Sequence, residues 1–274
     1  MTQAKITFIG AGNMASSIIG GLIKKGFAAD AITATDPYQP SLDKLQAEMG
    51  INVSADNGAA AAAADVIVLA IKPQVMEQVC TGLSKNLSHK PMIVSIAAGI
   101  DIQSLDRWLG NQLAIVRCMP NTPALVQTGA SGLFANAHTR DDQKVLANSI
   151  LEAVGIVQWL DAEDLLDPVT AVSGSGPAYF FLFMEAMIDA GMAQGLTREN
   201  ATELTLQTAL GAAKLAQASD VDVAELRRRV TSPNGTTEQA VLSFEQQGLR
   251  EVVAKAMQAC SDRSVEMAKE LGAG

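Results

Sequence analysis

Ile6-Thr7-Phe8-Ile9-Gly10-Ala11-Gly12-Asn13-Met14-Ala15 is a β-branched run that breaks into G-x-G-x-x-A and then into a helical pattern. The first glycine permits a tight turn, and the second lets a backbone approach a pyrophosphate. Ala15 is small enough for a helix to pack closely on the strand. The N–H groups at the start of that helix offer phosphates hydrogen bonds and a partial positive charge. The next β-branched run, Ala31–Thr35, ends in Asp36. An acidic residue about 20 positions beyond the glycines can accept both hydroxyls of an adenosine ribose. Taken singly, the glycines also fit an ordinary tight turn, and Asp36 fits a turn opened with Pro37. Strand, glycine loop, helix, strand and acid in that order favour a dinucleotide site. A carboxylate at position 36 suits NADH and repels a 2′-phosphate.

Working outward, the first helix runs over Asn13–Lys25 with Met14, Ile18, Leu22 and Ile23 on one face. A second is expected to be capped by Ser41, to align Leu42, Leu45 and Met49, and to stop at Gly50. Ala59–Ala64 reads as helix, and Val66–Ala70, Met92–Ile96 and Leu113–Cys118 read as further strands. This alternation predicts an α/β Rossmann domain over residues 1–161, a parallel sheet with helices on both faces. After Asp161 the texture changes to long helical stretches: Ala178–Gln194, Arg198–Ala218, Thr236–Gln247 and Arg250–Leu271. Residues 162–274 are therefore expected to form an all-α domain. Tyr179–Met192 is apolar nearly all round, which predicts a helix buried on every side. So small a domain can hardly bury it alone, so a second subunit is expected to cover it.

Composition narrows the function. The chain has 274 residues and a net charge of −9, which disfavours nucleic acid and anionic lipid as partners. It is 48% hydrophobic and only 18% charged, consistent with surface buried between subunits. The three cysteines, Cys80, Cys118 and Cys260, have no metal-ligand spacing. They read as packed thiols in a reducing cytoplasm, with no metal expected. Ile6–Ile9 is too short for a signal peptide, and no apolar run is long enough to span a membrane.

The chemistry is read from what accompanies the dinucleotide site. His89 and His138 sit in polar loops, so histidine acid–base catalysis of the hydroxyacid-dehydrogenase kind is disfavoured. β-Hydroxyacid dehydrogenases also join a Rossmann domain to a helical one, with a lysine four residues after a G-x-G. Here Gly174-Ser175-Gly176 is followed by Phe180 at that place and by Met184 where their asparagine stands. A phenyl ring cannot carry a proton. A reductase acting on C=N has less need of an acid, because a protonated imine is already electrophilic. A regulator that senses the dinucleotide without turnover is the rival from another class. Its partner surface would have to be Arg227-Arg228-Arg229.

Six further pieces settle on one family. Phe8–Ala15, Ala70-Ile71-Lys72-Pro73, Ser95–Gly99, Arg117-Cys118-Met119-Pro120-Asn121-Thr122-Pro123, Val172–Tyr179 and Thr231-Ser232-Pro233-Asn234-Gly235-Thr236-Thr237 occur in order over nearly the whole chain. On these the sequence resembles the pyrroline-5-carboxylate reductases. The resemblance implies reduction of the cyclic imine 1-pyrroline-5-carboxylate to L-proline with NADPH or NADH. It also implies a helical dimerisation domain and an interlocked homodimer, which some members assemble into a decamer. Carried over, Gly10, Ala11, Gly12, Asn13, Met14 and Ala15 hold the pyrophosphate. Asn57 and Ala70, Ile71, Lys72 and Pro73 line the adenosine and ribose side, and Ala97, Ala98 and Gly99 lie near the nicotinamide. The substrate carboxylate goes to Ser232, Gly235, Thr236 and Thr237, with Thr237 orienting the imine nitrogen, and Asp220 maps to an acidic position near the substrate. The start of a helix at Thr236 supports an anion site independently; an ordinary helix cap at Thr236 is the simpler explanation. Two departures stand out: Asn234-Gly235 replaces the common Gly-Gly, and Asp36 replaces a group suited to a 2′-phosphate.

Overall fold

The computed structural model describes residues 4–110 and 112–272. The chain forms two compact units. One runs up to Ser175 and is completed by the residues from Ala259 onward; the other is Gly176–Gln258.

The first unit is built on an eight-stranded sheet. Its strands are β1 (Ile6–Ile9), β2 (Ile32–Thr35), β3 (Asn52–Ser54), β4 (Val66–Leu69), β5 (Met92–Ser95), β6 (Ile115–Met119), β7 (Gly129–Ala135) and β8 (Gly155–Trp159). The order is β3-β2-β1-β4-β5-β6-β7-β8. The first six strands are parallel; β7 turns antiparallel to β6, and β8 runs parallel to β7. The expected wholly parallel sheet is thus corrected at one edge. Pro120–Thr128, the link from β6 to β7, is shorter than the dozen or so residues that a parallel crossover needs, so the chain must double back. β7 escapes sequence reading because Gly129-Ala130-Ser131-Gly132 carries no β-branched signal. Its glycines serve close packing instead: a Cβ on Gly132 would sit 2.8 Å from a methyl of Val169.

Helices cover both faces. They are α1 (Asn13–Lys24), α2 (Gln39–Met49), α3 (Asn57–Ala62), α4 (Met76–Leu83), α5 (Ile102–Leu109) and α6 (Asp141–Glu152). Alternate residues of each strand enter opposite cores. Ile6 and Phe8 pack with Ile18, Leu42 and Ile150 of α1, α2 and α6, whereas Ile9, Ile67 and Leu69 pack with Met76, Leu105 and Leu109 of α4 and α5. Strands buried on both sides explain why the sequence shows continuous apolar runs without alternation. Gly50 ends α2 at φ 68°, as expected. Ser41 does not begin it: the helix starts at Gln39, with Pro40 in the first turn and the Ser41 N–H bonded to the Tyr38 carbonyl. Proline preset to helical φ moves the start forward.

Beyond β8 only helices follow among the described residues. α7 (Leu166–Val169) widens into a π-turn over Thr170–Gly174, where the Ser175 N–H reaches the Thr170 carbonyl at 2.8 Å. Then come α8 (Gly176–Ala193), α9 (Arg198–Ala218), α10 (Val223–Arg229), α11 (Thr236–Gln246) and α12 (Leu249–Gly272). None of the described helices is long and apolar enough to cross a membrane. Within the second unit α8 packs on α9, where Gly191 meets Ala201 and Leu196, and Phe183 lies 6.0 Å from Phe244. The expected burial on every side is not met inside one chain: Phe180, Phe181 and Leu182 are 67%, 64% and 67% exposed. The unit has too few elements to wrap this helix.

A tight contact in the first unit is directly testable. A Cβ on Gly21 of α1 would lie 2.3 Å from the Ala153 carbonyl oxygen, whereas one on neighbouring Gly20 would meet only the Met49 Cε, at 3.4 Å. Gly21→Ala is expected to destabilise the fold by about 1–3 kcal/mol through overpacking. Gly20→Ala should be neutral or stabilising by up to about 1 kcal/mol, the helix propensity gained. Denaturant titration of both variants checks this, and equal midpoints would contradict it.

Candidate active site

β1, β2 and β4 end level with one another: Ile9 pairs with Thr35 on one side and with Leu69 on the other. Between β1 and β4 the chain's direction of winding reverses, the place where an α/β sheet opens a crevice at its carboxyl edge. The Gly10 N–H donates to the Thr35 carbonyl at 2.8 Å, and the Ala70 N–H to the Ile9 carbonyl at 2.8 Å. Gly10 has φ 104°, and a Cβ there would stand 2.4 Å from the Ala70 oxygen. Gly12 differs: nothing lies within 4 Å of the place its Cβ would occupy. The first glycine is thus required by the fold, and the second keeps open the space in front of α1. That helix begins with no side-chain cap and no acidic residue in its first turn.

This edge borders a cavity of about 890 Å³ lined by Gly10, Gly12, Asp36, Asn57, Ala70, Ile71 and Lys72 among others. The structure brings these sequence-predicted residues together. Ala15 is buried behind the loop, packing α1 on the sheet. Pro73 does not line the cavity and instead starts a 3₁₀ turn over Pro73–Val75. Ala97, Ala98 and Gly99 follow β5 but are not part of this lining. Gly99 has φ 69° and abuts Met267 of α12, where a Cβ would lie 3.1 Å from Met267 Cβ. Val75, Gln78 and Val79 also line the cavity. They were missed because the short helix α4 follows a proline and shows little more than two turns of pattern.

Asp36 is more engaged than its sequence position suggests. Its Oδ2 accepts the Ala11 N–H at 2.9 Å, and its Oδ1 accepts the Tyr38 N–H at 2.8 Å. The carboxylate is therefore both turn residue and loop brace.

Two of the matching motifs meet at the π-turn. Asn121 donates to the Ser173 carbonyl at 3.0 Å and accepts the Ala130 N–H at 2.9 Å, while Gly174 closes on Met119. Beneath them Arg117 and Glu163 form a largely buried ion pair at 2.7 Å. The Ile102 N–H shares the same Glu163 oxygen at 2.8 Å. These residues are explained by packing and hydrogen bonding, and the π-turn is a local distortion that helices often adopt near function.

In the second unit, Gly235 is the N-cap of α11 and its N–H closes a turn on the Ser232 carbonyl at 3.0 Å. Asn234 takes φ 59°, so the replacement of glycine is tolerated as expected. Thr236 and Thr237 are exposed, and neither hydroxyl is committed to a hydrogen bond; Thr236 is not the cap. The sequence reading missed Glu238, whose Oε2 accepts the Asn234 N–H at 2.8 Å. The signal was available: a glutamate three residues after the cap is a capping spacing. Asp220 is exposed in the turn between α9 and α10 and is not bonded to Ser232–Thr237.

The remaining candidates are electrostatically quiet. Burial pushes the Cys80 thiol up to about 12 and raises Cys118 further, so neither supplies a thiolate. Cys260 is half-buried and donates to Ser175 Oγ at 3.3 Å. His89 is tied to the Ala64 carbonyl at 2.9 Å. The arginine run is tied to two carboxylates: Arg229 and Arg228 hold the Glu225 carboxyl below its usual range, and Arg227 shares Glu245 with Arg250. No cluster able to hold a metal occurs among the described residues.

Comparison with known proteins agrees with this geometry. Residues 163–267 match the family described as pyrroline-5-carboxylate reductase dimerisation, and residues 5–99 match the one described as NADP oxidoreductase, coenzyme F420-dependent. The pyrroline-5-carboxylate reductase of Pseudomonas aeruginosa is 56% identical over 99% of this chain and 100% of its own. The chain belongs to the pyrroline-5-carboxylate reductase family. A solved reductase from Coxiella burnetii has a TM-score of 0.94 at 46% identity, over 98% of this chain and 100% of that one. The Plasmodium falciparum enzyme, solved with NADP bound, has a TM-score of 0.86 at 31% identity, over 98% and 99%. A member of this reductase family is an oxidoreductase that self-associates.

The two glycines of the loop give separable outcomes. Gly12→Ala is expected to keep the melting temperature and to lose tenfold or more affinity for reduced dinucleotide, because the new methyl fills the open cradle. Gly10→Ala should lower the melting temperature itself, since alanine resists φ 104° and meets the Ala70 carbonyl. Thermal melts with and without cofactor distinguish the two. A Gly12→Ala protein with unchanged affinity would remove the loop from the phosphate site.

Proposed function

We propose a division of labour among the residues of this reductase. The reaction is the NAD(P)H-dependent reduction of 1-pyrroline-5-carboxylate to L-proline, the last step of proline biosynthesis. The observation that carries it is the match to reductases over essentially the whole chain, with the dinucleotide cradle intact. We read residues 1–161 as the dinucleotide-binding domain and 162–274 as the dimerisation and substrate domain, of which residues 162–175 and those from Ala259 onward fold with the sheet-bearing unit. The match over 163–267 supports that division.

When bound, the reduced nicotinamide supplies the hydride. Gly10 to Ala15 hold the pyrophosphate on the N-terminus of α1. Asp36, Asn57 and the Ala70–Pro73 segment flank the adenosine half, with Lys72 contributing positive charge near the phosphates. Ala97 to Gly99 form backbone near the nicotinamide.

The substrate carboxylate is received at Ser232–Thr237. The first amides of α11 and the free hydroxyls of Thr236 and Thr237 support this, since they offer donors without an arginine. Glu238 is turned back onto Asn234, which spends part of its charge on the turn. Thr237 orients the ring nitrogen; a hydroxyl donates to the imine or accepts from the amine, and it is too weak an acid to protonate the imine itself. The proton arrives with the substrate or through water. Asp220 is kept as an acidic group near the substrate on resemblance alone.

The assembly is an interlocked homodimer that covers α8; a decamer of such dimers rests on the resemblance. Three free cysteines support a reducing, cytoplasmic setting.

Loss of 340-nm absorbance from NADH or NADPH with pyrroline-5-carboxylate tests the activity. Thr237→Ala should lower kcat/KM about tenfold, the loss of a hydrogen bond worth about 0.5–1.5 kcal/mol, while Thr237→Ser keeps most activity. Wild-type turnover in the alanine variant would reduce Thr237 to a spectator. Phe180→Asp alters a side chain exposed in the single chain, so the monomer should fold. The dimer should dissociate, as an unpaired charge is costly to bury. Sedimentation showing an intact dimer would exclude α8 from the interface.

A further inference from the structure

We propose that Asp36 makes this reductase discriminate against a 2′-phosphate, so that NADH is its tighter-bound reductant, and that the same carboxylate braces the phosphate loop. The inference rests on reading the 890 Å³ cavity as the dinucleotide site, and not on the identity of the imine.

The first support is hydrogen-bonding capacity. An ionised carboxylate has about four lone-pair positions. Two are used inside the protein, by the Ala11 and Tyr38 N–H groups, one on each oxygen. Two remain, and Asp36 lines the cavity. An unmodified ribose brings two hydroxyl donors, one for each. A 2′-phosphate brings acceptors and negative charge in place of one of those donors.

The second support is that the carboxylate cannot turn away. An anion beside a flexible aspartate is usually accommodated by rotation of the side chain into water. Here rotation would break the bond to Ala11, which is 5% exposed, and leave a buried N–H unpaired. It would also release the Tyr38 N–H that shapes the turn after β2.

The third support is the distribution of cations. Among the described residues lining the cavity, Lys72 is the one positive side chain. It follows β4, and β1 lies between β4 and β2, so its backbone starts two strand spacings, roughly 10 Å, from that of Asp36. Residues 37–41, which lead from β2 into α2, contain neither lysine nor arginine. Asp36 itself forms no ion pair that would mask its charge. Nothing beside the ribose end is placed to neutralise a second phosphate.

The brace follows from the same two bonds. Ala11 is the central residue between the two loop glycines, so the ribose-reading carboxylate also fixes the backbone on which the pyrophosphate rests. Removing the charge should then alter selectivity and weaken both cofactors.

The test is binding to the intact enzyme, followed by nicotinamide fluorescence for NADH and NADPH and by calorimetry for ADP-ribose and 2′-phospho-ADP-ribose. Wild type is expected to bind NADH and ADP-ribose at least tenfold more tightly than their phosphorylated counterparts. Asp36→Asn and Asp36→Ser should each narrow that ratio tenfold or more and weaken NADH severalfold. A wild type that prefers NADPH, or a ratio unchanged in both variants, overturns the discrimination. An unchanged NADH affinity in both variants overturns the brace. These readouts need no turnover, so they stand apart from the imine assay. An enzyme that binds NADH as expected and fails to reduce pyrroline-5-carboxylate would refute the proposed function and leave Asp36 in place.

Discussion

The approach of Gly10 to the Ala70 carbonyl is the constraint on which the rest depends. Three strand ends, β1, β2 and β4, meet there within hydrogen-bonding distance, and no residue with a side chain fits at φ 104° beside that oxygen. Because the loop is pressed between Thr35 and Ala70, its next residue, Ala11, faces Asp36, and Gly12 faces open space. The placing of Gly12, Asp36 and Lys72 around one cavity follows from this close contact between backbones. The helix behind it is held equally tightly, with Gly21 against Ala153, so the whole of α1 is fixed at both ends by places where only glycine fits.

Much of this was legible in the sequence. The glycine loop, Asp36, the central strands and the long helices α8, α9, α11 and α12 all announce themselves, because apolar periodicity and turn residues act locally. β3, β7 and β8 did not. β3 is three residues long, and β7 owes its place to a short link and to glycines that admit Val169 and the backbone of Ala124 and Val154. Such reasons lie in neighbouring elements, and no local pattern carries them. Ser41 failed as a cap for a local reason of the opposite kind, since Pro40 already satisfied the helix start.

The candidate site divides in the same way. Positions set by backbone geometry were readable, including the left-handed turn at Asn234 that replaces a glycine. Roles set by partners were not. Asp36 was read as a ribose acceptor or a turn residue, and its bond to Ala11 becomes visible only when β1 and β2 are side by side. Asn121, prominent within its motif, turns out to join β7 to the π-turn at Ser173. Helix α8 shows the limit of single-chain reasoning: its apolar circumference was plain in the sequence, and within one chain Phe180, Phe181 and Leu182 stay exposed.

The sheet-bearing unit is discontinuous in the chain, regaining the residues from Ala259 onward after an excursion of more than eighty residues. Ser264 binds Asp167 at 2.6 Å, Met267 closes over Gly99, and Arg107 reaches the Gly272 carbonyl. During synthesis, a ribosome therefore presents all eight strands well before the helical turns that seal them. Until α12 has been made, the Gly99 and Asp167 surfaces of the nascent sheet stay uncovered. α12 thus finishes a unit whose strands are all translated before it.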